Sequence, residues 1–277
     1  MSVRSGAGFT RVIVTACLIA AFTLSSQTTG AQSPPLPRRM AAIGDSITTA
    51  TNVCCFYRNW PRHSWSIGWD ADDVVRSHYE RILRLQPLIA GHNFNDAQAG
   101  AKMADAQAQA QEAVSQRAQY VTILLGANDA CTSSADTMTS VTKFRSGFDA
   151  AMATLRSGLP KVRIFVASIP NIYRLWTVFH ENPVARLVWD SANICQSMLS
   201  PNNTEEDRQR VLTRVRAFND VLAGVCAEYA RCRFDGRAVF NFRFEASHVS
   251  KLDFFHPNRD GQAALASVTW ARTWWGG

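Results

Sequence analysis

No apolar run in these 277 residues reaches the ~20 needed to cross a bilayer as a helix, so a spanning segment is not expected. No C-x-x-C pair occurs, which argues against a structural zinc site. His63, His78, His92, His180 and His248 show no metal-ligand spacing, and Asp70, Asp72 and Asp73 lack the glycine and spacing of a calcium loop. Those acids are expected on a solvated face, and no metal or organic cofactor is implied. Charge is sparse, at 18 % of residues, and the lysines and arginines are scattered without a block. With no aromatic-basic stripe or nucleic-acid motif, no nucleic-acid partner is expected. No internal repeat is visible, which excludes a solenoid.

Met1 to Ala31 is expected to be an export segment. Arg4 and Arg11 make a basic front, Val12 to Leu24 is an apolar run of about thirteen residues, and Thr29-Gly30-Ala31 suits cleavage before Gln32. A lipidation box at Val14-Thr15-Ala16-Cys17 competes, but only about five apolar residues precede Cys17 where 7–15 are wanted. Residues 32–38 then form an extended, proline-rich leader, and residues 39–277 a single domain, expected to be secreted and monomeric. Loss of Arg4 and Arg11 lowers the formal charge from +7 to +5. Six cysteines remain, Cys54, Cys55, Cys131, Cys195, Cys226 and Cys232. An even number in an exported chain favours disulfides, although six permit fifteen pairings. Cys226 with Cys232 suits a local loop, and Cys131 with Cys195 a longer clamp.

Apolar strands alternate with amphipathic helices, the pattern of a parallel sheet covered on both faces. Strands are expected at 40–43, running into Gly44-Asp45-Ser46, at 120–125 and at 162–167, with weaker ones at 92–95 and 238–242. Helices are expected at 103–118, 139–156, 205–229 and 261–275. Periodicity is poor from Asn171 to Ser200, which is expected to be an irregular insertion. Its Trp176, Phe179, Leu187 and Trp189 suit either an acyl pocket or core packing.

Open α/β sheets place their sites at the carboxyl ends of strands, and three such ends carry residues useful for ester cleavage. Ser46 follows the first strand as a candidate nucleophile. His256 lies three residues after Asp253 in Asp253-Phe254-Phe255-His256-Pro257, so one turn can aim both inward, with Asp253 orienting the imidazole that takes the serine proton. Gly100 follows the weak second strand and Asn128 the strand ending at Leu125-Gly126. A Gly backbone N–H, an Asn amide and the N–H of Ser46 itself would make a three-donor oxyanion hole. Each piece alone is an ordinary turn. Their order along the chain is what makes them specific.

The blocks Gly44-Asp45-Ser46, Gly100, Gly126-Ala127-Asn128-Asp129 and Asp253-Phe254-Phe255-His256-Pro257 resemble those of the SGNH, or GDSL, hydrolases, over Ile43 to about Gly261. The resemblance implies a three-layer α/β/α sandwich on a central, mostly parallel, flavodoxin-like sheet. It also implies a catalytic triad of Ser46, Asp253 and His256, with an oxyanion hole from Ser46, Gly100 and Asn128. Cys54-Cys55 and Cys131 look like cysteines of exported members in which bridges pin the site loops. In one departure, Ala50 stands where the family often has glycine. The chain lacks the G-x-S-x-G elbow of the α/β-hydrolases. The function implied is a secreted esterase or lipase that cleaves a small-molecule or lipid ester through an acyl-enzyme on Ser46. An acyltransferase or carbohydrate deacetylase would use the same residues. A non-catalytic lipid or glycan binder is disfavoured by the intact Ser46, His256 and Asn128.

Overall fold

Alternating side chains on the strands divide the core in two. Ala41, Ile43, Val121, Ile123, Ile164 and Val166 pack into one buried cluster, and Met40, Ala42, Tyr120, Leu124 and Phe165 into another on the opposite face. A sheet buried on both faces needs helices on both, hence three layers. The computed structural model describes residues 1–8 and 33–276. Residues 1–8 are exposed without regular structure; the rest of the expected export segment, its cleavage site, Cys17 and Gln32 lie outside the described residues.

From Ser33 onward the chain runs β1 (Met40–Gly44), α1 (His78–Leu85), β2 (Asn93–Asn95), α2 (Ala106–Ser115), β3 (Tyr120–Leu124), α3 (Ala127–Ala130), α4 (Val141–Gly158) and β4 (Arg163–Val166). It continues α5 (Tyr173–Phe179), α6 (Pro183–Ser191), α7 (Gln196–Leu199), α8 (Glu205–Ala227), β5 (Cys232–Phe234), α9 (Ala238–Asn241) and α10 (Arg259–Trp270). All four strand pairings are parallel, in the order β2-β1-β3-β4-β5. Helices α2, α4 and α8 cover one face and α1 with α10 the other. Because the chain leaves β1 for β2 on one side and returns to β3 on the other, the crevice between the ends of β1 and β3 is the switch point where such sheets bind ligands.

The longest helix shows why the pattern succeeded there. Thr204 caps α8 in a reciprocal box with Asp207, and Val211, Val215, Phe218, Leu222 and Val225 line its buried face, Phe218 stacking on Phe144 of α4 at 4.0 Å. Helix α10 stops at Trp270, short of the expected 275, and Trp275 turns back so that its Nε1 donates to Pro34 O at 2.7 Å. Helix α1 was not anticipated, although Ser77-His78-Tyr79-Glu80 forms a capping box.

Three expectations are corrected. Residues 238–241 are helical, and the fifth strand is Cys232–Phe234. The Asp235 carboxylate accepts from Arg237 N at 2.8 Å and Val239 N at 3.0 Å, which turns the chain and starts α9 instead of a strand. Residues 171–200 are ordered helices, not irregular chain. Asn182 caps α6 ahead of Pro183, and Trp189 is completely buried, so long-range packing replaces periodicity as the organiser. The third correction concerns the cysteines. Cys131 bridges Cys195 and Cys226 bridges Cys232, whereas Cys54 and Cys55 are free thiols. The bridged pairs consume the other four. Adjacent residues across a trans peptide hold their Cα atoms only about 3.8 Å apart, inside the ~4.4 Å lower limit usual for a disulfide.

Candidate active site

The floor of the site is built by β1 and β3. Gly44 pairs with Leu124, so both strands end level. A Cβ on Gly44 would lie 2.4 Å from Thr48 Oγ1 and 2.8 Å from Leu124 O, so no side chain fits there. Asp45 follows, fully buried. Its Oδ1 accepts the N–H of Ile47 at 2.9 Å and its carbonyl accepts from Thr48 and Thr49, which coils the chain into a turn with Ser46 on it. Ala50 ends this turn at φ 53, the left-handed conformation in which glycine is more usual, so the departure at this position leaves the turn in place. Asp45 Oδ2 has no hydrogen-bond partner, and burial pushes the Asp45 carboxyl up to about 7. His256 lies close enough for its charge to work against that rise.

Gly126 links β3 to α3 at φ +125, and a Cβ there would meet Ile169 Cδ1 at 2.6 Å and Phe144 Cε2 at 2.8 Å, so conformation and packing both require glycine. Helix α3 then presents Asn128, whose Nδ2 donates to Ala101 O at 3.0 Å. That bond draws Asn128 against the loop of Gly100, which is exposed at φ +84. One N–H of the Asn128 amide is thereby used and one remains. Among the described residues, the backbone N–H groups of Ser46 and Gly100 donate no hydrogen bond.

Asp253 and His256 stand on a loop closed by the Val249–Pro257 bridge and by the bond from Ser250 N to His256 O at 2.8 Å. Nδ1 of His256 donates to Asp253 Oδ2 at 2.6 Å; Asp253 Oδ1 accepts from the backbone N–H of Phe255 at 2.9 Å and of His256 at 3.0 Å. Burial acts to raise the Asp253 carboxyl, but the bond and charge of His256, together with Asn52, outweigh it and hold it below its ordinary value. Among the described residues Ser46 Oγ makes no hydrogen bond to His256. Ligand-free sites often show such contacts loose until substrate closes them. Gln262 of α10 joins the two sides, its Nε2 donating to Ile47 O and its Oε1 accepting from Trp65 N, both at 2.8 Å.

An open apolar cleft runs beside His256. Ile47 and Ala127, neighbours of Ser46 and Asn128, line it together with the apolar Ile172, Leu175, Val178, Phe244, Val249 and Phe255. The aromatics singled out from the sequence do not line it. Trp189 is buried with Nε1 donating to Phe254 O at 3.1 Å, and Phe179 packs on Trp189 and Phe254. Trp176 lies beneath the Arg208 guanidinium at 3.5 Å, and Leu187 is exposed. Asp70 and Asp73, expected on a solvated face, instead turn towards buried His63, with Asp73 Oδ2 2.6 Å from its Nδ1. Asn52 and Gln262 carry no mark in the sequence because each acts on a residue more than 200 positions away.

The parallel sheet in this order, covered on both faces and carrying a polar cluster at its switch point, defines a three-layer α/β/α fold. The GDSL-like lipase/acylhydrolase family matches residues 42–264, and the chain belongs to that family. It is therefore a carboxylic ester hydrolase. No curated protein matches it in sequence. Solved structures similar to it include a lipase from a goat rumen metagenome, with 15 % identity and TM-score 0.51, over 85 % of this chain and 97 % of that one. An extracellular lipase from Streptomyces rimosus has 15 % identity and TM-score 0.50, over 85 % and 99 %. An acetylxylan esterase from Geobacillus stearothermophilus has 15 % identity and TM-score 0.50, over 85 % and 95 %. Likeness at this identity speaks for the fold alone. Among the described residues no helix is long and apolar enough to cross a membrane.

Proposed function

We propose that the chain is a secreted serine esterase that cleaves esters of apolar acyl chains through an acyl-enzyme on Ser46. The observation that carries this reading is that His256, held by Asp253 at 2.6 Å, shares one cleft with the residues next to Ser46 and Asn128. Nε2 of His256 takes the Ser46 Oγ proton as Oγ attacks the ester carbonyl carbon. The oxyanion that forms is held by the unused N–H groups of Ser46, Gly100 and Asn128. Its collapse breaks the bond to the alkoxy oxygen, which leaves as the alcohol with the proton from His256. Water then attacks the acyl carbon, gives its proton to His256, and Ser46 Oγ recovers that proton as the acid departs. Asp253 stays ionised throughout and stabilises the imidazolium.

The wall of the cleft favours an apolar acyl chain over the acetyl group of a carbohydrate deacetylase, since each buried methylene contributes about 0.8 kcal/mol. Export is supported by the basic front and apolar run at the N-terminus and by the two disulfides. The test is hydrolysis of p-nitrophenyl esters from acetate to palmitate by the protein and by Ser46→Ala. Turnover is expected to rise beyond acetate and to vanish in the variant. Undiminished turnover in Ser46→Ala would defeat the proposal. Preferred release of acylated product with an added alcohol or sugar acceptor would reassign the chain to acyl transfer.

A further inference from the structure

Asp253 is held by more than its own loop. Oδ2, the oxygen that accepts from His256 Nδ1, also accepts from Asn52 Nδ2 at 2.7 Å, across 201 residues of sequence. Asn52 lies six residues after Ser46 and is itself fixed. Its φ of 54 is in the left-handed region, where Asn is among the few side chains found often. Its N–H donates to Arg58 O at 2.9 Å, and its carbonyl accepts from Ser250 Oγ at 2.5 Å. Five residues on, the Tyr57 hydroxyl donates to Leu252 O at 2.6 Å. Three bonds thus tie the chain just beyond the Ser46 turn to the loop that carries Asp253 and His256.

We infer that Asn52 is a positioning residue of ester cleavage, its carboxamide orienting the Asp253 carboxylate against His256 and coupling the base loop to the nucleophile turn. The inference rests on the reading of His256 as the base. A carboxylate that loses one of two donors on the same oxygen is freer to turn. It also concentrates more negative charge on the bond to His256, which stabilises the imidazolium. Titratable or charged groups around the pair include Asp45 on the nucleophile turn, Arg174 of α5 and His248 in the cleft wall, Tyr57 and Lys251 beside Leu252, and Cys54 with Arg259 beyond the Asn52 loop. They are common to parent and variants, so the difference between pH profiles reads position 52.

The experiment is the pH dependence of kcat/KM for p-nitrophenyl butyrate with the parent, Asn52→Gly, which keeps the left-handed backbone, and Asn52→Ala, which removes the same donor. Expected for Asn52→Gly is a loss of about 10-fold in kcat with little change in KM, and an acidic limb moved up by several tenths of a pH unit. Asn52→Ala should move that limb in the same direction by a similar amount. An unmoved limb overturns the inference even if kcat falls, since a purely structural role lowers activity at every pH alike. If Asn52→Gly does not fold, Asn52→Ala reads the same limb. Ser46→Ala, assayed alongside, separates the two levels. Turnover that survives in Ser46→Ala removes the site and the role of Asn52 together, whereas an inactive Ser46→Ala with unmoved limbs removes only Asn52.

Discussion

Two buried carboxylates stand one on the turn of Ser46 and one on the loop of His256, and they differ in how their oxygens are partnered. Asp45, on the turn of Ser46, is fully buried with one oxygen unpartnered, and burial raises it to about 7. Asp253, on the loop of His256, is almost as buried but accepts four hydrogen bonds, and it is held below its ordinary value. At Asp45 burial dominates, whereas at Asp253 the bonds it accepts and the charge of His256 outweigh burial. The surroundings differ in the same way. Ser46 and Asn128 stand close behind the ends of paired central strands, so the ladder places them. Asp253 and His256 stand on a loop tied to the rest by single bonds from Asn52, Ser250, Tyr57 and Trp189.

The largest expected effect breaks the contrast between the two acids. Asp45 is raised in the folded state, so the folded protein binds more protons between about pH 4 and pH 7, and stability is lost as pH rises through that window. From the shift of the carboxyl to about 7, the loss is on the order of 4 kcal/mol at most. Asp45→Asn keeps an acceptor for the Ile47 N–H and has no charge to bury. Urea unfolding should find it more stable than the parent at pH 8 and no more stable at pH 4; equal differences at both would show that Asp45 does not titrate there. Asp253 acts with the opposite sign, contributing stability above about pH 4 that disappears as pH falls below its lowered value.

Asn128→Ala tests the strand-borne side next. Removing one oxyanion donor should lower kcat by about 10²–10³ with the fold intact by thermal melting, and an unchanged kcat would take Asn128 out of the oxyanion hole. The smallest change probes the loop side. Trp189→Phe keeps a buried ring but removes the N–H that reaches Phe254 O, and about 1–2 kcal/mol of stability should be lost. A melting temperature equal to the parent's would mean that the base loop is held without α6.

Much of the fold was legible because its signals are local. Strands β1, β3 and β4 are short apolar runs ending at Gly44, near Gly126 and near Pro170, and α8 shows an unbroken buried stripe behind a capped start. The candidate residues at the strand ends and on the 253–256 loop were legible for a similar reason. A glycine with no room for a Cβ, or an Asp three residues before a His, leaves its mark within a few positions. The same locality misled at 238–242, where an apolar run suggested a strand and the Asp235 turn made a helix.

Local composition thus sufficed for the fold class and for the residues at the strand ends, because hydrophobic alternation and turn chemistry act over a few residues. It could not say that Leu175 and Val178, not Trp176 or Trp189, wall the cleft, that Cys54 and Cys55 stay unpaired, or that Asn52 reaches Asp253. Those outcomes depend on which distant segments meet once the sheet is covered, and a hydrogen bond or a packed ring across 65 to 201 residues has no signature in the chain that forms it.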